Sequence, residues 1–441
     1  MIEPELLEVV INPVSWLITI GFVLILGFIG NYIFNKTQIP SILWLLLSGL
    51  IIGYFFRLAE LTANSTDLLG FISGLVGAIA IIIILFDGGI NTDIYQLFRG
   101  APRGLLLTFS SFFLSFFGTI IIIIILASTN LIKINYYDPL TIGAMLGAIV
   151  GGTSSPIVIP LAYRLKNLQD KTKMLSSIES ILTDPICIVV AFAIAFMVLE
   201  LGQINLLLGI GNVVKTFSVG IVLGLVSGFI WLFIMNKVRK EKYSYILTLA
   251  ITFIVYAATV YLVGQSEGGE GAGAIACIIF GLVLGNGKKI LKMVNYQGKG
   301  FEMDENTKQF HGLISFVIRT FFFVYLGLLV STLVIEAEFI LIGIIVIIIL
   351  ILLRYIAVEI STYKGNFEKD DKQTMIFMMP RGLAAAILAV TFGERFLNED
   401  LFVGIAFVVI LGTAIITTIG VSYISHCENK KLKQKNIEDN L

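Results

Sequence analysis

Charge is scarce in this chain. Only 14% of its 441 residues are Asp, Glu, Lys or Arg, where water-soluble domains carry about a quarter. The 30 basic and 30 acidic residues cancel, so no basic face is left for nucleic acid, and none is expected as a partner. Histidine occurs twice, at His311 and His426, and cysteine three times, at Cys187, Cys277 and Cys427. Residues so few and so scattered supply neither a disulfide framework nor a zinc site, and no cofactor is expected. The first ten residues, MIEPELLEVV, are acidic where a signal peptide is basic, so no cleaved leader is expected.

What the chain has in abundance is apolar surface, at 57% of residues. Apolar runs bounded by charges or turn formers predict an all-α polytopic membrane protein of thirteen spans. They fall near 13–34, 40–57, 67–90, 102–127, 138–163, 174–200, 208–235, 243–264, 270–286, 308–332, 337–361, 374–393 and 400–425. The longest connection, 287–307, is too short to fold alone, and the whole chain reads as one integral membrane unit embedded in lipid. Residues 426–441 read as a short tail with no room for a soluble regulatory domain. The glycine-rich GQSEGGEGAG at 264–273 follows no strand, so it is read as a loop and not as a dinucleotide cradle.

Basic residues set the orientation, because Lys and Arg collect in cytoplasmic loops. With the tail inside, alternate loops and the tail hold 23 of the 30 basic residues, among them Arg164, Lys171, Lys173, Lys289, Lys364 and Lys372. The opposite loops hold Arg57, Lys133 and Arg395. The C-terminus is therefore expected in the cytoplasm and the N-terminus outside.

Two spans are broken at their centres, span 5 by GGTSSPIVIP at 151–160 and span 12 by MMPRGLAAA at 378–386. Each is the fifth span of a set of six, 1–6 and 8–13. The offset of seven is odd, so the two run in opposite directions. That is the pattern of inverted-repeat transporters, whose broken helices meet near the midplane and form the substrate site. Backbone opened in lipid must face protein or water. Here Thr153, Ser154 and Ser155 add hydroxyls to the freed carbonyls, all hard oxygens suited to a small cation.

Span 6 brings the charge, in SSIESILTDPICIVVAF. Ser180 and Asp184 are four residues apart on one face, as are Glu179 and Thr183 on another. Ionisable groups inside a membrane are functional candidates by default, and Asp184 is the foremost. Glu179 lies nearer the basic loop at 164–173 and has the reading of an interfacial acid beside the functional one. Arg319 in span 10 is too deep to reach water easily and calls for an acid or helix-end carbonyls. Arg354 and Arg381 lie nearer helix ends, and Asp87 at the inner end of span 3 reads as an entrance or interfacial carboxylate. A carboxyl group removed from water holds a proton more readily. One buried acid that a proton or a cation neutralises in turn, exposed alternately to each side, yields exchange with no further machinery.

Six stretches together carry a family likeness: KTQIPSILWLLLSGLIIG at 36–53, LFDGG at 85–89, ESILTDP at 179–185, IRTFFFVYLG at 318–327, LLRYIAVE at 352–359 and PRGLAAAILAV at 380–390. They resemble, in order and over nearly the whole chain, the monovalent cation/proton antiporter superfamily in its NhaP/NHE-like sodium/proton exchanger branch. The resemblance implies a homodimer whose protomers have a dimerisation domain and a six-helix core that carries the ion by an elevator-like movement. The ion-carrying helices are then expected within 67–200 and 308–425, and the scaffold within 1–57 and 208–286.

The family's Glu-Ser-x-x-Asn-Asp-Pro motif maps onto Glu179, Ser180, Thr183, Asp184 and Pro185, with Thr183 where Asn is usual. Asp184 takes the proton- and ion-binding role, with Ser180, Thr183, Thr153 and Ser154 as ligands. Glu179 and Arg354 map onto the family's ion pair, and Arg319 and Arg381 onto its other intramembrane arginines. Span 5 departs from the family: its Thr-Asp-Pro reads Thr153, Ser154, Ser155, with proline one place later at Pro156. The carboxylate usual at Ser154 is gone, and fewer charges suit a larger, more easily dehydrated ion. Electroneutral sodium/proton exchange, with lithium as a further substrate, is the expectation, and potassium/proton exchange the alternative. A cation channel fits less well, because the polar residues cluster at one depth instead of lining a path.

Overall fold

In hydrocarbon an apolar run satisfies its backbone most simply as a helix. The computed structural model describes residues 13–37, 39–58, 66–129, 137–165, 168–201, 204, 206–238, 244–264, 268–293, 305–332, 337–396 and 399–438, and these contain helix and no strand. The helices are α1 (Pro13–Thr37), α2 (Ser41–Leu58), α3 (Thr66–Asn91), α4 (Ile94–Ser128), α5 (Pro139–Val150), α6 (Ser155–Arg164), α7 (Asp170–Leu201) and α8 (Leu206–Val238). They continue with α9 (Ser244–Val263), α10 (Gly269–Gly285), α11 (Gly287–Met293), α12 (Glu305–Thr332), α13 (Ala337–Thr362), α14 (Lys369–Phe377), α15 (Leu383–Arg395) and α16 (Glu399–Glu438).

Among the described residues nine stretches are long and apolar enough to cross a membrane, the fifth span counting as one, and three more helices are apolar but shorter. With the split pair α14 and α15, every expected span has its helix, and spans 5 and 12 are the broken ones.

The differences lie at the edges. α4 begins at Ile94 and carries Pro102 inside it. The expected tail continues α16 as far as Glu438, since its Glu, Lys, Gln and Leu favour helix and neither Gly nor Pro stops it. The glycine-rich loop is half helix. Gly264 and Gly268 have positive φ and make the turn, but α10 starts at Gly269. There Gly271 packs closely on Thr216, and Gly273 on the Tyr256 ring, where a Cβ would overlap. Residues 265–267 of that loop, the first twelve residues and 294–304 of the expected longest connection lie outside the described residues; 287–293 form α11.

The packing repeats under the offset of seven. α2 packs along α12, and α10 along α3; these are spans 2 with 10 and 9 with 3, each pair the image of the other. Both contacts pass through glycine: a Cβ on Gly49 or Gly327 would overlap the facing backbone, and so would one on Gly89 or Gly281. α4 packs along α13, spans 4 and 11, which is its own image. The fifth span lies innermost, 89% buried, where α1 is 22% and α8 and α9 are 28% buried. α1, α8 and α9 instead expose Leu17, Phe28, Leu207, Val222, Ile254 and Leu262.

Each broken span also ends in an arginine that reaches a neighbour. Arg164, closing α6, donates to the Phe34 carbonyl of α1 at 2.8 Å. Arg395, closing α15, pairs with Glu270 of α10 at 2.6 Å.

Candidate functional site

The two breaks meet at one backbone hydrogen bond, and flanking helices accept two more of their N–H groups. α5 stops at Val150 and α6 starts at Ser155; α14 stops at Phe377 and α15 starts at Leu383. In the gap the Ser154 N–H donates to the Pro380 carbonyl at 2.8 Å. The Arg381 N–H donates to Thr413 Oγ1 of α16 at 3.0 Å, and the Thr153 N–H to Thr183 Oγ1 of α7 at 3.0 Å. Groups that would be costly to strand in a dry interior are thus paired with the other break or a flanking helix. Gly382 permits the crossing, because a Cβ there would overlap the Ser154 side chain.

The carbonyl end of α14 is closed by Arg354. Its Nε donates to the Met375 carbonyl at 3.0 Å and its Nη2 to the Met378 carbonyl at 3.2 Å. The same guanidinium holds Glu179 in a two-pronged ion pair, Nη1 to Oε1 and Nη2 to Oε2, the latter at 2.8 Å. Nη1 also reaches Ser111 Oγ of α4 at 3.0 Å. Arg354 is 2% exposed and Glu179 1%. A cation at the negative end of a helix, with a buried acid to neutralise it, joins α4, α7, α13 and α14 at one point.

Asp184 lies beside the crossing on α7 and is 9% exposed. Pro185 follows it and leaves the Ile181 carbonyl without its usual helical partner. Asp184 Oδ2 accepts a hydrogen bond from Ser155 Oγ at 3.2 Å. Ser155 opens α6, and its backbone N–H faces the same carboxylate.

The residues expected as ligands are all here but are engaged differently. The Thr153 and Thr183 hydroxyls lie 3.5 Å apart, and Thr183 serves the Thr153 backbone. Ser180 Oγ donates back to the Ser177 carbonyl at 3.1 Å. Ser154 is held at the crossing through its backbone. Ser155, read with Thr153 and Ser154 as a hard oxygen suited to a cation but left out of the ligand set drawn around Asp184, is the hydroxyl bonded to the acid. The signal for it was Pro156, which marks the start of a half-helix and turns the residue before it toward the gap.

The other charges separate into two groups. Arg381 is 1% exposed within electrostatic reach of Arg354, Cys187 and Glu179. Its Nε and Nη1 find no hydrogen-bond partner among the described residues. Asp87 on α3 faces α12, where Ser315 bonds it and Arg319 lies within electrostatic reach. Among the described residues no three His, Cys, Asp or Glu cluster as a metal site would need.

Two broken helices crossing inside an inverted repeat, with a buried acid beside them, are the architecture of a secondary transporter. Residues 21–426 match the model of the transmembrane sodium/hydrogen exchanger family, and the chain belongs to that family. It is 25% identical over 380 residues to Na(+)/H(+) antiporter 1 of Methanocaldococcus jannaschii, covering 86% of this chain and 84% of that one. It is 23% identical over 403 residues to the K(+)/H(+) antiporter NhaP of Alkalimonas amylolytica, covering 90% of this chain and 63% of that protein's length. Its fold superposes on the structure of the sodium proton antiporter MjNhaP1 from Methanocaldococcus jannaschii at pH 8 with a TM-score of 0.75 and 24% identity, covering 92% of this chain and 97% of that one.

Proposed function

We propose that this protein exchanges a monovalent cation for a proton across the cell membrane, with Asp184 carrying each in turn. The observation that carries the reading is one buried carboxylate beside the meeting point of two broken helices, bonded by the Ser155 hydroxyl. A proton or a cation neutralises it equally, and an acid left ionised and empty in a dry site is costly to move. One acid per site makes the exchange one for one and electroneutral.

Sodium, with lithium, is the first substrate proposed and potassium the alternative. Relatives named for each cation match the chain, and Ser154 stands where the family has a second acid. Thr153, Ser154, Ser180 and Thr183 border the site and supply hydroxyls or break carbonyls to the cation. Glu179 and Arg354 are structural, as their role in closing α14 suggests. Arg381 supplies fixed positive charge, and Asp87 with Arg319 ties α3 to α12.

The ion-carrying helices lie within 67–200 and 308–425. α3 and α12, at the edges of those ranges, pack on the scaffold helices α10 and α2. The protein works as a homodimer with its N-terminus outside and its C-terminus in the cytoplasm, the apolar faces of α1, α8 and α9 meeting lipid or a second copy, and the carrier moves elevator-like.

Proton flux in proteoliposomes, with sodium, lithium and potassium supplied in turn, tests the reading. Cation-driven proton movement with one of the three is the expected result. Cation flux that moves no proton would replace the exchanger with a channel.

A further inference from the structure

We infer that the Ser155 hydroxyl is a direct ligand of the transported cation and sets the site's affinity for it, an inference that rests on Asp184 being the carrying acid. The hydroxyls around the crossing sort by what they already hold. Thr183 Oγ1 takes the Thr153 N–H at 3.0 Å. Ser180 Oγ is turned to the Ser177 carbonyl at 3.1 Å. The Ser154 N–H is spent on Pro380 at 2.8 Å, and its side chain lies against Gly382. Ser155 Oγ alone among them donates to the Asp184 carboxylate, at 3.2 Å.

A hydroxyl there serves every state of the cycle without moving a heavy atom. It has one proton to donate and two lone pairs to offer. Toward an ionised carboxylate it donates, across the 3.2 Å contact to Asp184 Oδ2. When a cation binds Asp184, rotation about the C–O bond turns a lone pair to the ion, and Ser155 becomes a hard neutral ligand next to the charged one. When Asp184 carries a proton, the hydroxyl accepts from the carboxylic acid. Ser155 is also the first residue of α6, so its oxygen and its N–H approach the acid from a fixed helix end and no loop has to be ordered.

The position follows from the local sequence. With proline at Pro156, the chain begins its second half-helix one residue after Ser154. That extra residue puts a side chain capable of ligation where the Thr-Asp-Pro pattern of the family has proline. The site exchanges a second negative charge at the Ser154 position for a neutral oxygen at Ser155.

The test uses the full-length protein in proteoliposomes and measures cation-dependent proton flux for Ser155→Ala, Ser155→Cys and Ser155→Thr. Losing one hydrogen bond or ligand contact to a charged group raises the KM for the cation about tenfold, with the maximal rate retained. Ser155→Cys keeps the shape, loses the hard oxygen and should follow Ser155→Ala; Ser155→Thr keeps the oxygen and should restore the wild-type KM. Thermal stabilisation by added cation, read on the purified protein, should weaken in step with KM. An unchanged KM in both Ser155→Ala and Ser155→Cys overturns the inference, and so does a Ser155→Thr as impaired as Ser155→Ala, since packing and not the oxygen would then be at work. Either result with an inactive Asp184→Asn leaves the carrying acid in place, whereas an active Asp184→Asn removes the reading beneath both.

Discussion

Between α5 and α6 the chain opens over residues 151–154, lined with hydroxyls; between α14 and α15 it opens over 378–382 and carries an arginine. The two openings are images of each other in the repeat and join through one hydrogen bond, Ser154 to Pro380. Their neighbours differ in sign. The first opening has Asp184 beside it, and the second has Arg354 closing its carbonyl end, with Arg381 inside. One backbone device has thus been given two tasks. On the proposed reading the hydroxyl side holds an ion and releases it, because Asp184 is its one charged ligand and the others are neutral oxygens. The arginine side is fixed by charge-assisted bonds.

Breaking the fixed side should have the largest effect on stability. Arg354→Ala strands Glu179 in a dry site and frees the carbonyls of Met375 and Met378, a loss of about 3–5 kcal/mol for one partner of a buried pair. Glu179→Gln combined with Arg354→Ala should recover part of it. Thermal unfolding of the purified single and double variants measures this, and strictly additive losses would show that the pair does not couple.

Gly382→Ala tests the crossing itself. The added methyl meets Ser154, and overpacking of this kind costs about 1–3 kcal/mol. The loss should shrink when Ser154 is also replaced by glycine, which makes room; a loss unchanged in that double variant would place the strain elsewhere.

The smallest expected effect is none at all. With a single carrying acid each half-cycle moves the same charge, so turnover should not respond to voltage. An electrogenic exchanger would feel about 2.3 kcal/mol per charge at 100 mV. Sodium-driven proton flux in vesicles clamped at zero and then at about −100 mV should proceed at one rate, again by that coupling. Acceleration would mean that Glu179, Asp87 or another group also carries a proton.

The spans and both breaks were legible because hydrocarbon leaves the backbone few choices: long apolar runs become helices, and Gly, Ser and Pro at their centres open them. The pairing of Glu179 with Arg354 was legible only through family likeness. The residues are 175 apart in sequence, and nothing local to either names the other. That Arg354 also closes α14 was not legible, since it depends on how α13 packs against the stump of a broken helix. Among three consecutive hydroxyls, the choice of Ser155 over Ser154 turned on one residue of register at the start of α6. The glycines of 270–273 read both as loop and as the start of the span at 270–286, and the packing on α8 and α9 that suits the helix is invisible in the local sequence.

The most direct measurement compares Asp184→Asn with the wild type for cation-driven proton movement in proteoliposomes, each first shown to be folded and in the same oligomeric state. The asparagine keeps the shape of the side chain but can take neither a proton nor a cation's charge, so exchange should vanish while the fold remains. Robust cation-driven proton movement by the folded Asp184→Asn protein would contradict the assignment of Asp184 as the group that carries both ions.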